Sequence, residues 1–119
     1  MIAARFKKVF EPTNIGLMQL KNHVVMPPMG TGYAEKSAVS QRMLDYYEAR
    51  ARGGTGLIIV EGSPPGLQCA RPQQVCLGDD RFIPEWQKLA DVVHKHNSKI
   101  AIHLMHSTME NWNGKAVQV

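Results

Sequence analysis

Clustered charge, long apolar runs and cysteine are all scarce in this chain of 119 residues. No segment approaches the roughly 20 consecutive apolar residues that are needed to cross a bilayer. Residues 1–8 also lack an apolar stretch of signal-peptide length. The composition therefore predicts a soluble, cytoplasmic protein without a membrane partner.

The basic residues give a formal net charge of +4, but they are scattered along the chain, with no basic run and no interleaved aromatic residues. A nucleic-acid-binding domain concentrates such charge on one patch or stripe. We therefore expect no nucleic-acid partner, although the charge permits an anionic ligand.

Only two cysteines are present, Cys69 and Cys76, with six residues between them in one predicted loop. That spacing matches no common zinc or iron–sulfur pattern, so no metal site is predicted. Two cysteines in a chain of this kind favour free thiols in a reducing compartment.

Three short apolar runs, each ending in a polar or glycine-rich cluster, organise most of the chain. Two amphipathic helical patterns separate these runs, so the predicted order is strand, helix, strand, helix, strand. This order is typical of an α/β fold with a parallel sheet, in which the carboxyl ends of the strands carry the chemistry. The predicted strands are Val24–Met26, Gly56–Val60 and Lys99–Met105, and the predicted helices are Ser40–Arg52 and a segment that begins near Pro84 and stops near Asn97.

Two further elements are predicted near the ends of the chain. Residues 6–23 are expected to form a short opening hairpin, because Pro12 and Gly16 supply turn chemistry and Met18 and Leu20 alternate with polar neighbours. A small strand is predicted at Ala116–Val119.

Four sequence motifs occur in register between about Phe6 and His106. They are FEPTNIGLMQLKN at residues 10–22, VVMPPMG at 24–30, YYEARARGGTGLIIVE at 46–61 and DRFIP at 80–84. Together they resemble the old yellow enzyme family, in its branch of 2,4-dienoyl-CoA reductases, enoate reductases and NADH:flavin oxidoreductases. Several separate motifs make this resemblance far more specific than a lone glycine motif would be.

The resemblance implies the N-terminal part of a (β/α)₈ TIM barrel that binds FMN at the carboxyl ends of its strands. It also implies that hydride passes from NAD(P)H through the flavin to an activated alkene. The expected partner is therefore a small-molecule enoate or enoyl-thioester substrate. No residue is assigned a catalytic role.

The resemblance further implies that four residues of one turn, Pro28, Met29, Gly30 and Thr31, bind the cofactor. In the family, the main chain of this turn faces the reactive middle of the flavin, and Gly30 and Gly32 would allow a close backbone approach. Without the resemblance, the same residues are typical of a plain turn between a strand and a helix.

Gly62 follows the second strand, where the family places a small residue under the flavin ring. A strand-end turn explains this glycine equally well. The preceding residue, Glu61, is either a carboxylate at the mouth of the barrel or a member of a structural ion pair.

His103 departs from the family pattern, which usually has Gln at this position, and it is the sixth predicted cofactor-binding residue. A Gln amide offers a donor and an acceptor in one fork, whereas a neutral His carries them on opposite sides of a ring. One of the two bonds to a flavin edge is therefore expected to be lost. His106 matches a family His, but the residues after it, Ser107 to Met109, replace the Ala-Gly-Arg that is common there.

A barrel of this type needs about 250 residues, and its phosphate site is frequently built by loops after strands seven and eight. Residues 1–119 are therefore predicted to be one partial flavin-binding domain, truncated after strand three and inactive alone. Its open sheet edges are expected to meet copies of the chain or the missing remainder of the barrel. The alternative function is a non-catalytic module that self-associates or binds a partner through the exposed sheet.

Overall fold

The computed structural model describes residues 5–67 and 70–106, so Cys69 and the strand predicted at Ala116–Val119 lie outside the described residues. The chain begins with a short helix, α1 (Lys7–Phe10), and an antiparallel hairpin of β1 (Thr13–Ile15) and β2 (Met18–Leu20). The predicted hairpin is thus present, but the prediction over residues 6–23 missed the helical turn. Among the described residues, none of the helices is long and apolar enough to span a membrane.

The predicted parallel sheet is present, with β3 (Val25–Met26), β4 (Leu57–Ser63) and β5 (Lys99–Leu104) in that spatial order. Four strand boundaries differ from the prediction. β3 and β4 each begin one residue later, at Val25 and Leu57, β5 stops before Met105, and β4 continues beyond Val60. The last difference arises because pairing with β5 resumes after an irregularity between Val60 and Gly62.

Both predicted helices are present on the connections between these strands. Helix α2 (Gln41–Arg52) begins after Ser40, whose hydroxyl accepts a hydrogen bond from the Met43 N–H at 3.2 Å, as expected of an N-cap. Gly54, just beyond its end, has a φ of +106°, which favours glycine. Helix α3 (Ile83–His94) follows one turn of 3₁₀ helix, and Asn97 lies in the left-handed region with a φ of +54°.

The hydrophobic core lies between the sheet and the two helices. Ile58 and Val60 of β4 both belong to it, as expected of residues two positions apart on a strand. Burial of these apolar side chains stabilises the layer packing. The members with no exposed surface are Met43 and Tyr47 of α2, Ile58 and Val60 of β4, Leu89 and Val93 of α3, and Val75 of the connection between β4 and α3.

The irregularity in β4 is a bulge at Glu61. Val60 pairs with Ile102 and Gly62 pairs with His103, so Glu61 is an extra residue that has no partner on β5. Its N–H donates instead to the hydroxyl oxygen of Tyr47 at 3.2 Å. Burial raises the pKa of Tyr47 to about 12.

We expect Tyr47→Phe to lower the free energy of unfolding by about 1–3 kcal/mol at pH 7, because the buried Glu61 N–H loses its acceptor. The difference in free energy of unfolding between the wild type and Tyr47→Phe should then shrink between about pH 10 and pH 12. In that range the unfolded tyrosine has lost its proton and the folded one retains it, so folding weakens by about 1.4 kcal/mol per pH unit.

Urea unfolding at several pH values measures both effects. Tyr46→Phe on the same helix is the control, because it leaves the bond to Glu61 intact. It should change the free energy of unfolding by less than about 0.5 kcal/mol at pH 7. If the difference in free energy of unfolding between wild type and Tyr47→Phe stays constant from pH 9 to pH 12, burial does not raise the pKa of Tyr47.

Lys21, directly after β2, connects the ends of helices α2 and α3 at the amino-terminal end of the sheet. Its ammonium donates to the carbonyl of His96 at 2.7 Å, to the hydroxyl of Ser98 at 3.1 Å and to the carbonyl of Ala51 at 3.5 Å. The Ser98 hydroxyl also donates to the carbonyl of Thr55 at 2.7 Å. One cation thus satisfies carbonyls near the ends of α2 and α3, where positive charge is favourable.

We expect Lys21→Met to lower the free energy of unfolding by about 1–3 kcal/mol, because half-buried carbonyl groups lose a charged donor. Lys8→Met, on the exposed surface of α1, is the matched control and should cost less than about 0.5 kcal/mol. Urea unfolding of the two variants makes the comparison, and equal losses would show that Lys21 has no special role.

Candidate functional site

The residues predicted to form the site gather at the carboxyl ends of the three parallel strands. The turn that follows β3 carries four of them, Gly62 lies at the end of β4, and His103 lies opposite Gly62 on β5. This is the edge at which barrels and open α/β sheets place their ligands.

A buried carboxylate joins the turn to β4. The side chain of Glu61 accepts one bond from the N–H of Thr31 at 2.9 Å and another from the Thr31 hydroxyl at 2.5 Å, both at Oε2. Glu61 is only 2% exposed. Among the described residues its side chain forms no ion pair, and both of its bonds go to Thr31.

The donors of Thr31 are therefore engaged inside the protein. Its hydroxyl donates to Glu61 and accepts from the N–H of Tyr33 at 3.2 Å, while its own N–H is bonded to the same carboxylate. A hydroxyl has one proton to donate. In this arrangement Thr31 shapes the turn, and its side chain has no second proton for a ligand.

Open space lies over the glycines of the turn. A Cβ built on Gly30 or on Gly32 would meet no atom within 4 Å, and Gly32 has a φ of +67°, which favours glycine. Met29 is 48% exposed at the same surface. The main chain of this turn is therefore accessible to a flat ligand.

Gly62 is crowded by a residue that the sequence did not single out. A Cβ at Gly62 would lie 2.9 Å from the Sδ of Met105. The carbonyl of Gly62 accepts from the Gln74 side-chain amide at 2.7 Å, and the Met105 N–H donates to the Ser63 carbonyl at 3.1 Å. Glycine at position 62 thus makes room for Met105, and a ring placed over Gly62 would require that thioether to move.

His103 is exposed at the end of β5, and His106 follows the strand. The sulfur of Cys76 is buried as a free thiol and accepts from the Gly78 N–H at 3.2 Å. In the described part of the chain, no three His, Cys, Asp or Glu side chains are grouped so that they could hold a metal ion.

We expect Gly62→Ala to lower the free energy of unfolding by about 1–3 kcal/mol, because the new methyl group overlaps the Met105 thioether. In a Met105→Ala background the same substitution should cost clearly less. A double-mutant cycle by urea unfolding isolates this coupling. Equal costs in both backgrounds would mean that the two side chains do not compete for space.

Comparison with known families identifies the class of protein that shares this architecture. The family model described as "NADH:flavin oxidoreductase / NADH oxidase family" matches residues 8–116. The chain belongs to this family. The resemblance inferred from the motifs and the fold of a partial (β/α)₈ barrel are both confirmed.

Individual relatives share the same segment. An NADH oxidase of Thermoanaerobacter brockii is 40% identical over 116 residues, and the match covers 92% of this chain and 17% of that protein. A cinnamate reductase of Clostridium sporogenes is 31% identical over 109 residues, covering 84% and 16%. The old yellow enzyme structure from Pichia sp. AKU4542 superposes with a TM-score of 0.73 at 31% identity, covering 80% of this chain and 25% of that one. The chain therefore spans about a sixth of the length of these two relatives and less than a third of the NADPH dehydrogenases it also matches.

Proposed function

We propose that this chain is the first part of an FMN-dependent oxidoreductase that transfers hydride from NAD(P)H to an activated alkene. The observation that carries the proposal lies at the carboxyl ends of β3 and β4. There the side chain of Glu61 binds Thr31, and Gly30 and Gly32 on either side of Thr31 have open space around them. Membership of a flavin oxidoreductase family supports the cofactor. Residues 1–119 would then form one partial barrel domain that the remaining βα units complete.

The residues at this edge fit a flavin in most respects. The accessible main chain of Pro28, Met29 and Gly30 would lie against the ring system, and Thr31 would hold that main chain in place. The exposed imidazole of His103 would offer a single donor or acceptor to the polar edge of the ring. FMN, when bound, supplies the capacity to accept hydride from one substrate and deliver it to another.

The substrate class follows from the relatives. One of them is a cinnamate reductase, and cinnamate is an enoate whose double bond is activated by a carboxylate. We therefore propose a small-molecule enoate or enoyl thioester as the hydride acceptor. NADH and NADPH are both open as donors, because the relatives include an NADH oxidase and NADPH dehydrogenases.

A chimera tests this proposal. Residues 1–106 of this chain replace the matching segment of the Thermoanaerobacter brockii NADH oxidase, and the purified protein is examined for bound flavin and for NAD(P)H oxidation with cinnamate. We expect a yellow protein with flavin absorption and turnover above that of the chimera stripped of flavin. A folded chimera that holds no flavin, although its parent does, would overturn the proposal.

In the same chimera we expect His103→Gln to tighten FMN binding about two- to tenfold, because the amide regains one neutral hydrogen bond to the flavin edge. Titration of flavin fluorescence gives the dissociation constant. His94→Gln, on the exposed surface of α3, is the control and should leave it unchanged. Equal affinity for wild type and His103→Gln would show that position 103 makes no such bond.

A second candidate function is a non-catalytic module that self-associates. It is favoured by the exposed apolar residues of the edge strand β5, where Ile102 is 39% and Leu104 is 68% exposed. Sedimentation velocity of the 119-residue chain at micromolar concentration distinguishes the two. A folded monomer would count against self-association, and a discrete oligomer without flavin would favour it.

A further inference from the structure

We infer that Glu61 is a positioning residue, which fixes the turn from Pro28 to Thr31 in its ligand-facing shape before any ligand arrives. The inference rests on the proposed function, because it assigns to that same site the group that preorganises it. Glu61 would touch neither substrate nor flavin, and it would act through Thr31.

The first argument is the cost of burying a carboxylate. Glu61 is 2% exposed, and an ionised carboxylate at such a position is costly unless donors compensate for lost water. Among the described residues, no buried side-chain nitrogen or oxygen lacks a hydrogen-bond partner. The compensation comes from Thr31, which supplies both its main-chain N–H and its hydroxyl. Hydrogen bonds to charged groups are about twice as strong as neutral ones, so this pair holds the turn firmly.

The second argument is geometric. Two bonds from one residue, one from its main chain and one from its side chain, fix both the position and the orientation of Thr31. The turn needs such an anchor because it contains Gly30 and Gly32, whose backbones have wide conformational freedom. Thr31 lies between these two glycines, so holding it restrains both.

Glu61 is itself held rigidly. It occupies the bulge of β4, and its N–H is bonded to the hydroxyl of Tyr47, which is fully buried on α2. A bulge re-aims the side chain of a strand residue, and bulges are over-represented beside active sites. A continuous series of bonds therefore runs from helix α2 through Glu61 to Thr31. A site whose supporting groups are fixed in this way loses less entropy when a ligand binds.

The bonds to Glu61 determine which N–H groups of the turn remain for a ligand. The carboxylate binds both donors of Thr31, while the N–H groups of Met29 and Gly30 have no acceptor among the described residues. Ligand recognition at this turn would be a main-chain function that Glu61 maintains.

Amide hydrogen exchange, followed by NMR in the 119-residue chain without flavin, tests the inference. Glu61→Leu removes the oxygen that accepts both bonds, whereas Glu61→Gln keeps one side-chain oxygen that can accept them. We expect exchange of the Thr31 amide to accelerate about tenfold or more in Glu61→Leu and less in Glu61→Gln, with the amide of Leu89 in α3 little changed. Glu48→Gln removes a carboxylate at the opposite end of the sheet, where it binds His96 and Lys95, and should leave Thr31 unchanged.

Partial rescue by glutamine separates a positioning role from a merely structural one, since the two variants remove the same charge. Unchanged exchange at Thr31 in Glu61→Leu would overturn the inference, as would equal acceleration at Thr31 and Leu89. If Glu61→Leu does not fold, Thr31→Val gives the same test at the other end of the bond, because it deletes the hydroxyl alone. In that variant the Thr31 position should exchange faster, and slow exchange would again overturn the inference.

Flavin binding provides the second measurement. In the chimera described above, Glu61→Leu should weaken FMN binding at least about tenfold and Glu61→Gln less than about threefold. Unaltered affinity in Glu61→Leu would overturn the role in cofactor positioning. A chimera that binds no FMN would count against the proposed function, while the exchange measurement still decides whether Glu61 holds the turn.

Discussion

The bulge at Glu61 is the constraint on which the rest of the site depends. β4 lies between β3 and β5, so an extra residue there changes what faces both neighbours. Because Glu61 takes no partner on β5, Gly62 lies opposite His103, and the carboxylate is free to reach the turn after β3. The orphan N–H of the bulge is satisfied by Tyr47 rather than by water. One irregularity therefore joins a helix, the central strand and the ligand-facing turn.

The hydrogen bonds that connect the helices and the exposed turn after β3 lie at opposite ends of the sheet. At the amino-terminal end, Lys21 binds carbonyls at the ends of two helices, and the Asn22 side chain donates to the Gly54 carbonyl at 2.7 Å. There, hydrogen bonds from His96 and Lys95 also lower the pKa of Glu48. At the carboxyl end, by contrast, the main chain of the turn is exposed. This division matches the general behaviour of barrels, in which one face gives stability and the other carries the chemistry.

Local signals predicted most of the fold. The Ser40 cap, the glycines after Arg52 and the proline at the start of α3 each act within a few residues, and the helices that they delimit are present. The bond from Thr31 to Glu61 joins residues 30 positions apart, and the bulge depends on the pairing of β4 with β5, so no local pattern in the sequence indicates either. Met105 was missed for the same reason, since only the folded chain brings its thioether over Gly62. The one available signal was a carboxylate directly after an apolar strand, which is an unusual place for a charge.

The candidate site consists of a rigid frame and, outside it, the exposed side chain of His103, which stands where the family pattern has Gln. The frame consists of the turn, the bulge and the buried Tyr47, all held by bonds that do not involve β5 side chains. His103 stands outside that frame, exposed at the end of an edge strand. A change from an amide to an imidazole there alters one hydrogen-bonding edge and leaves the geometry of the turn intact. Variation at position 103 would thus tune how a ring is held, whereas variation at position 61 would change whether the turn is held at all.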